Sequence, residues 1–287
     1  MLKPISLLIG RTCSLRTENA EVGTWLFRTG VEFGQQMAQM RADRACTYID
    51  IRSRIHHSRN AIVKIALRNN FDYLCFVDAD MDPDFRLHNP LLPDSEQPHA
   101  RSWAKPFLSS SLAFMQQNHC GVVAAPAVSG PPQNKLNFFV VDWESEKDPA
   151  TGLPTQWRRC RREEYQSLEP QFKPVCGIGT GLMLIDMNVF RKVSEPWFDD
   201  IENEDKTDTE QSQDINFCRK VNAAGIPVYA NLFAPARHIK FDGQDPPDYI
   251  GPQSWTTPAP TTLSKLPSPT PRPIATPSLL PAMPSHR

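Results

Sequence analysis

The chain has no stretch approaching the ~20 consecutive apolar residues that a membrane span requires, so no transmembrane segment is expected in its 287 residues. It also has almost no charge imbalance. Lys+Arg total 31 against 32 for Asp+Glu, a formal net charge of -1, and no basic tract is dense enough to suggest a nucleic-acid surface. The densest basic run, Trp157-Arg-Arg-Cys-Arg-Arg162, is followed at once by Glu163 and Glu164 and reads as a solvated loop or helix face. The seven cysteines (13, 46, 75, 120, 160, 176 and 218) show no CxxC or CxH spacing, which argues against both a zinc site and a disulfide framework. Their odd number and scatter through apolar elements fit a reducing, cytoplasmic setting. The opening MLKPISLLIGR has an apolar run too short for a signal h-region and reads as a first strand. A GxxxxGK[ST] phosphate loop and internal repeats are both missing.

The chain does contain an alternation of short apolar strands with amphipathic segments. Strands are expected at residues 4–10, 47–51, 73–77, 121–128, 136–141, 182–185 and 226–233. Helices are expected over 31–44, from an N-cap at Ser58 through Asn70, over 103–118, and over 212–224 closed by Gly225. Such alternation predicts an α/β fold, with ligands off the carboxyl ends of the strands. From Pro252 onward the composition changes: ten of the 28 prolines fall there, with no Asp or Glu. Segments of that kind bury too little apolar surface to offset their ordering entropy. The reading is one domain over residues 1–250 and a disordered Pro/Ser/Thr-rich tail over 251–287.

The most informative stretch is FDYLCFVDADMDPD, residues 71–84. A continuous apolar run ends in Asp78, Asp80, Asp82 and Asp84 at two-residue spacing. Alternate residues of an extended chain share a face, so Asp78 and Asp80 can aim oxygens at one point. Their repulsion is relieved by a hard divalent cation that also takes phosphate oxygens. The plainer reading is a solvated acidic turn.

Further pieces stand around it in order: SRNAIVKIAL from Ser58, LCFVDADM, GTGLMLIDMNVF from Gly179, PWF at 196–198, SQDINFCRK from Ser212, and ARHIKF from Ala236. In this order and spacing they resemble the GT-A nucleotide-sugar glycosyltransferases, the family 2-like branch of microbes and phages, over roughly residues 50–240. The resemblance implies a GT-A fold, a mixed and mostly parallel sheet flanked by helices. It implies a nucleotide-diphosphate donor (a UDP- or GDP-sugar) and a hydroxyl acceptor of unknown kind. Asp80 and His238 would hold Mn²⁺ or Mg²⁺, with Asp78 on the ribose or a metal-bound water. Arg59 and Asn60 would serve the donor side, Asp214 would be the base of an inverting transfer, and Gly179, Thr180, Gly181, Trp197 and Gln213 would contact substrate. Gln213 stands where the pattern carries an acid. The N-terminal fifty residues match poorly.

Each residue also has a structural reading. Asp214 complements a helix dipole, the glycines are turn residues, and Trp197 is equally a core side chain. Arg59 is equally a surface ion pair, and the acidic stretch 199–211 is a solvated segment or an acceptor lid. Three rival functions are a haloacid dehalogenase-like phosphatase, a nucleotidyltransferase making sugar nucleotides, whose N-terminal Gly-rich, Arg-Lys loop is matched poorly by IGRTCSLR, and a non-catalytic nucleotide- or sugar-binding module. The phosphatase motif hhhhDxDx[TV] would need Thr or Val where Asp82 stands, and a later GDxxxD run is missing.

Overall fold

In the computed structural model of the protein, residues 5–12, 22–31, 46–51, 54–84, 87, 103–127, 137–141, 156–161, 164–165, 168–202 and 209–238 are described. The proposed tail over 251–287 lies outside them, as does all but the first residue of the helix expected over 31–44.

A seven-stranded sheet organises the described residues. Its strands are β1 (Leu7–Thr12), β2 (Cys46–Ile51), β3 (Tyr73–Asp78), β5 (Val122–Ala124), β8 (Phe172–Val175), β10 (Leu182–Asp186) and β13 (Val228–Asn231). Their order is β2-β1-β3-β10-β5-β13-β8. The pairs β2/β1, β1/β3 and β5/β13 are parallel, whereas β10 runs against both neighbours and β8 against β13. Five strands therefore point one way and two the other, the mixed, mostly parallel sheet expected.

Helices cover both faces, which explains why β3 is apolar from Tyr73 to Val77. Leu74 and Phe76 join one buried cluster with Ile62, Val63 and Ala66 of α2 (Ile55–Arg68). The same layer holds Val189 and Phe190 of α4 (Met187–Lys192) and Phe217 and Val221 of α5 (Gln213–Ala223). Tyr73, Cys75 and Val77 point the other way. They join Val22 and Trp25 of α1 (22–31) with Phe107, Leu112 and Met115 of α3 (Phe107–Asn118). Full burial of each large apolar side chain is worth about 1.5–3 kcal/mol.

Several boundaries differ from expectation for identifiable reasons. The N-terminus of α2 lies at Arg54, not Ser58; the Ser58 N–H is already inside the helix, donating to the Arg54 carbonyl at 2.9 Å. α3 starts only after Pro106, whose ring restricts the preceding residue. Its first N–H, that of Phe107, is capped at 2.7 Å by the buried Asp84, which also accepts from Trp25 Nε1 at 2.9 Å. The first three residues of the basic run form a strand. β7 (Trp157–Arg159) pairs with β6 (Phe138–Val141), which in turn pairs with β9 (Gly177–Ile178). The 199–211 stretch is anchored at both ends. β11 (Ile201–Glu202) pairs with β12 (Thr209–Gln211), and Asp199 receives Lys220 Nζ at 2.5 Å and Asn216 Nδ2 at 2.8 Å. α5 ends as expected, with Gly225 at φ +71°.

Candidate active site at the carboxyl end of β3

The parallel register sets Thr12 beside Asp78 at the ends of β1 and β3. Thr12 Oγ1 donates to Asp78 Oδ1. Asp78 lies on the sheet face that α2 covers, so Arg59 meets it there. Arg59 Nη2 donates to both carboxylate oxygens, at 2.9 and 3.0 Å. The guanidinium is almost wholly buried, 5.9–6.0 Å from the ring centres of Phe76 and Phe198. Asp78 and Arg59 thus answer each other, because burying either charge alone would be costly. The expectations are a metal or ribose contact for Asp78 and a diphosphate contact for Arg59; among the described residues the two side chains hold each other.

Past Asp78 the chain turns at Ala79 and Asp80, so the two aspartates do not share a strand face. The next strand, β4 (Met81–Asp82), pairs with β14 (Arg237–His238), His238 opposite Met81 and Arg237 opposite Asp82. Arg237 clamps Asp82 Oδ2 at 2.6 and 3.1 Å. That ladder brings His238 Nε2 to 2.7 Å from Asp80 Oδ2, across 158 residues of sequence. Both side chains keep some exposure, 21% for His238 and 27% for Asp80.

The turn Gly179-Thr180-Gly181 links this end of the sheet to α5. The Asp78 N–H donates to the Gly181 carbonyl at 2.8 Å, and a Cβ on Gly181 would stand 3.0 Å from Met81 Sδ. A Cβ on Gly179 would stand 3.1 Å from Asn137 Nδ2 and 3.3 Å from Asp214 Oδ2. Glycine is needed because protein groups crowd both ends of the turn. Asp214 lies in the first turn of α5. Its Oδ1 accepts from Ser212 Oγ and from the Ile215 N–H at 3.0 Å, which leaves Oδ2 toward Gly179. Thr180 is buried, and its hydroxyl has no hydrogen-bond partner among the described residues.

Three further residues of the expected set, Asn60, Trp197 and Gln213, are engaged with the protein's own backbone and side chains. Asn60 is spent on the backbone: Nδ2 donates to the carbonyls of His56 (2.8 Å) and Phe198 (2.6 Å), while Oδ1 accepts from the N–H groups of Trp197 (3.0 Å) and Phe198 (3.2 Å). Trp197 is buried, its ring edge-on to Phe190 and its Nε1–H given to the carbonyls of Phe190 and Val193. No face remains for an acceptor sugar. Gln213 is buried too, and its N–H donates to Asp200 Oδ1 at 2.9 Å. Thr12, Asn137 and Arg237, by contrast, were not singled out in the sequence. Only Arg237, beside the flagged His238, carried a signal.

Burial pushes the thiols of Cys120, Cys160 and Cys218 up to about 12 and that of Cys176 to about 11, so none of these is a ready nucleophile. A cleft of about 910 Å³ opens at the other end of β3, lined by residues including Tyr73, Gln116, His119, Asp186 and Arg191. It is remote from the carboxylate turn and presents no comparable convergence of groups.

Parallel β1 and β3 end in polar groups, and an antiparallel β10 runs beside them from a glycine turn at the site. The fold is a mixed, mostly parallel α/β sheet flanked by helices. No family model matches the sequence, and no curated protein is significantly similar to it. Among solved structures, the chain is similar to A197 from STIV, with TM-score 0.45 and 14% identity over 81% of this chain and 85% of that one. It is similar to GalNAc-T7, solved with UDP, GalNAc and Mn2+, with TM-score 0.42 and 11% identity over 88% of this chain and 47% of that one. A CMP:2-keto-3-deoxy-manno-octonic acid synthetase, solved with CTP, gives TM-score 0.38 and 10% identity over 78% and 88%. Among the described residues no helix is long and apolar enough to cross a membrane, and no group of three or more His, Cys, Asp or Glu side chains could hold a metal.

Proposed function

We propose that the protein is a metal-dependent glycosyltransferase, moving a sugar from a UDP- or GDP-sugar to an acceptor hydroxyl with inversion. The observation that carries this reading is the 2.7 Å approach of His238 to Asp80. One carboxylate oxygen and one imidazole nitrogen at that separation suit two adjacent ligands of an octahedral cation, whose neighbouring ligands at ~2.1 Å stand roughly 3 Å apart. Two protein ligands leave the remaining positions to phosphate oxygens and water, as expected for Mn²⁺ or Mg²⁺ at a diphosphate. When bound, such an ion supplies Lewis-acid neutralisation of the leaving diphosphate.

The chain's own residues account for the rest. Asp80 and His238 would hold the ion. Asp78, oriented by Arg59 and Thr12, offers its outer edge to a ribose hydroxyl. Asp214 Oδ2 takes the acceptor proton as the acceptor oxygen bonds to C1. The C1–O bond to phosphate breaks, and its electron pair leaves with the nucleoside diphosphate. A single general base at Asp214 that deprotonates the acceptor is the arrangement an inverting displacement uses. A phosphatase would need Asp78 as a free nucleophile, but both its oxygens are held by Arg59.

The test is nucleotide binding by calorimetry with and without Mn²⁺, together with donor turnover. Asp80→Ala and His238→Ala should abolish the metal-dependent part of nucleotide binding. Asp214→Asn should keep that binding and lose ~10²–10⁴-fold in turnover. Indifference to Mn²⁺ with every nucleotide, or hydrolysis of simple phosphomonoesters, overturns the proposal.

A further inference from the structure

Two arginines stand over aromatic rings on one face of the sheet formed by β7, β6 and β9. Arg159 is opposite Phe139 across the β6/β7 ladder, and its guanidinium carbon lies 4.8 Å from the centre of that ring. Trp157 precedes Arg159 by two residues on β7, so the two side chains share a face, about 7 Å apart along the strand. The Trp157 ring carries Arg219 of α5, with 5.1 Å between guanidinium carbon and ring centre. Both arginines are exposed and both rings half-buried. These separations are within the ~6 Å reach of cation–π attraction. Stacking uses the flat side of a guanidinium and leaves its N–H edge for the forked pairing with a carboxylate or phosphate. Arg219 has no carboxylate partner among the described residues.

This face adjoins the proposed base. Gly177 is opposite Phe139, and the point its Cβ would occupy lies 3.2 Å from Trp157 Cζ3 and 3.5 Å from Ile215 Cδ1. Trp157 therefore stands beside the first turn of α5, which carries Asp214. Arg219 follows Asp214 by five residues of that helix, a rise of ~7.5 Å. We infer that this face binds the acceptor and that the acceptor is an acidic glycan. One of its hydroxyls meets Asp214, while anionic substituents farther along the chain are held by Arg219 and Arg159. The inference rests on the glycosyltransferase reading and assigns its acceptor class. A nucleic acid fits less well. Each ring already carries a guanidinium, which takes a face that a base would stack on. Arg158, on the opposite face of β7, is paired with Glu164 at 2.9 Å. The stacking platform and continuous cationic track that a phosphate backbone requires are not built here.

The experiment measures, by fluorescence polarisation, binding of labelled dextran oligomers of equal length in neutral, carboxymethylated and phosphorylated forms, beside a single-stranded DNA oligonucleotide. The wild-type protein is expected to bind a charged dextran more tightly than the neutral one, by about fivefold for each arginine engaged. Raising the salt from about 50 to about 500 mM should remove most of that advantage. The tighter of the two charged forms names the anion. Arg219→Gln and Arg159→Gln should each weaken charged-dextran binding about fivefold. Arg191→Gln, the same change of charge in the cleft at the other end of β3, should not. Equal binding of charged and neutral dextrans overturns the inference. So does tighter binding of the DNA than of either charged dextran, or an Arg219→Gln protein, folded by its thermal melt, that binds as the wild type does. These readings need no turnover, so failure of the transferase reading shows separately, as absence of donor turnover.

Discussion

Replacing Arg59 by Met should destabilise the protein by about 3 kcal/mol. The guanidinium is only 3% exposed and the Asp78 side chain 19%. Removing the cation while keeping a methylene stem of similar length isolates the loss of charge. Breaking a buried pair from one side costs ~3–5 kcal/mol, because the partner is left charged and uncompensated. Asp78 retains Thr12 and some access to water, which favours the lower end of that range. The rings of Phe76 and Phe198 lie at the outer limit for cation–π attraction and add little. For a domain of this size, 3 kcal/mol corresponds to a fall of roughly 6–12 °C in Tm. Urea unfolding at pH 7 reads the difference directly. Asp78→Asn alone leaves Arg59 stranded and should also destabilise, whereas the double variant should recover much of the loss, with a coupling above about 1.5 kcal/mol. Strictly additive single effects, or an Arg59→Met protein within about 1 kcal/mol of wild type, would refute the account of the pair.

Asn60→Ala should cost about 1–3 kcal/mol by stripping partners from the Trp197 and Phe198 backbone, with the KM for donor nucleotide unchanged; a raised KM would return Asn60 to the donor site. Gly121→Ala should unfold or strongly destabilise the protein, since the new Cβ would stand 2.5 Å from Ile226 Cγ2 and 2.7 Å from Val189 Cγ2, both stiff at χ1; a normal melt would contradict the packing. The buried thiols of Cys120, Cys160, Cys176 and Cys218 stay protonated in the folded protein well above their ordinary value of 9.0, mainly through desolvation. Above pH ~9 the unfolded chain binds fewer protons than the folded one, so stability is complete below that pH and falls as pH rises toward 11–12. Urea midpoints at pH 8 and 10 should differ in that direction, and serine at all four positions should flatten the difference.

The course of the strands and the place of the acid cluster could be read locally. β3 announced itself because a strand covered on both faces must be apolar at consecutive positions, and Tyr73 to Val77 are. The acid cluster at its end, the glycine turn and the helix closed by Gly225 follow from equally local chemistry. Partner choice could not be read this way. Asp78, Asp80, Asp82 and Asp84 look alike in sequence, yet one meets Arg59, one His238, one Arg237, and the last caps α3 and holds Trp25. Asn60 and Trp197 stood in suggestive motifs and are spent on each other. Asn137 stood in no motif and ties Ala127 to Gly179.

From its sequence alone, then, this protein is an α/β chain with carboxylates at a strand end, because period and composition act over a few residues. Which carboxylate meets a cation, which an imidazole and which a backbone N–H was decided by tertiary structure. Those pairings join residues up to 158 apart, and they depend on strand register and helix position, which no short stretch of sequence encodes.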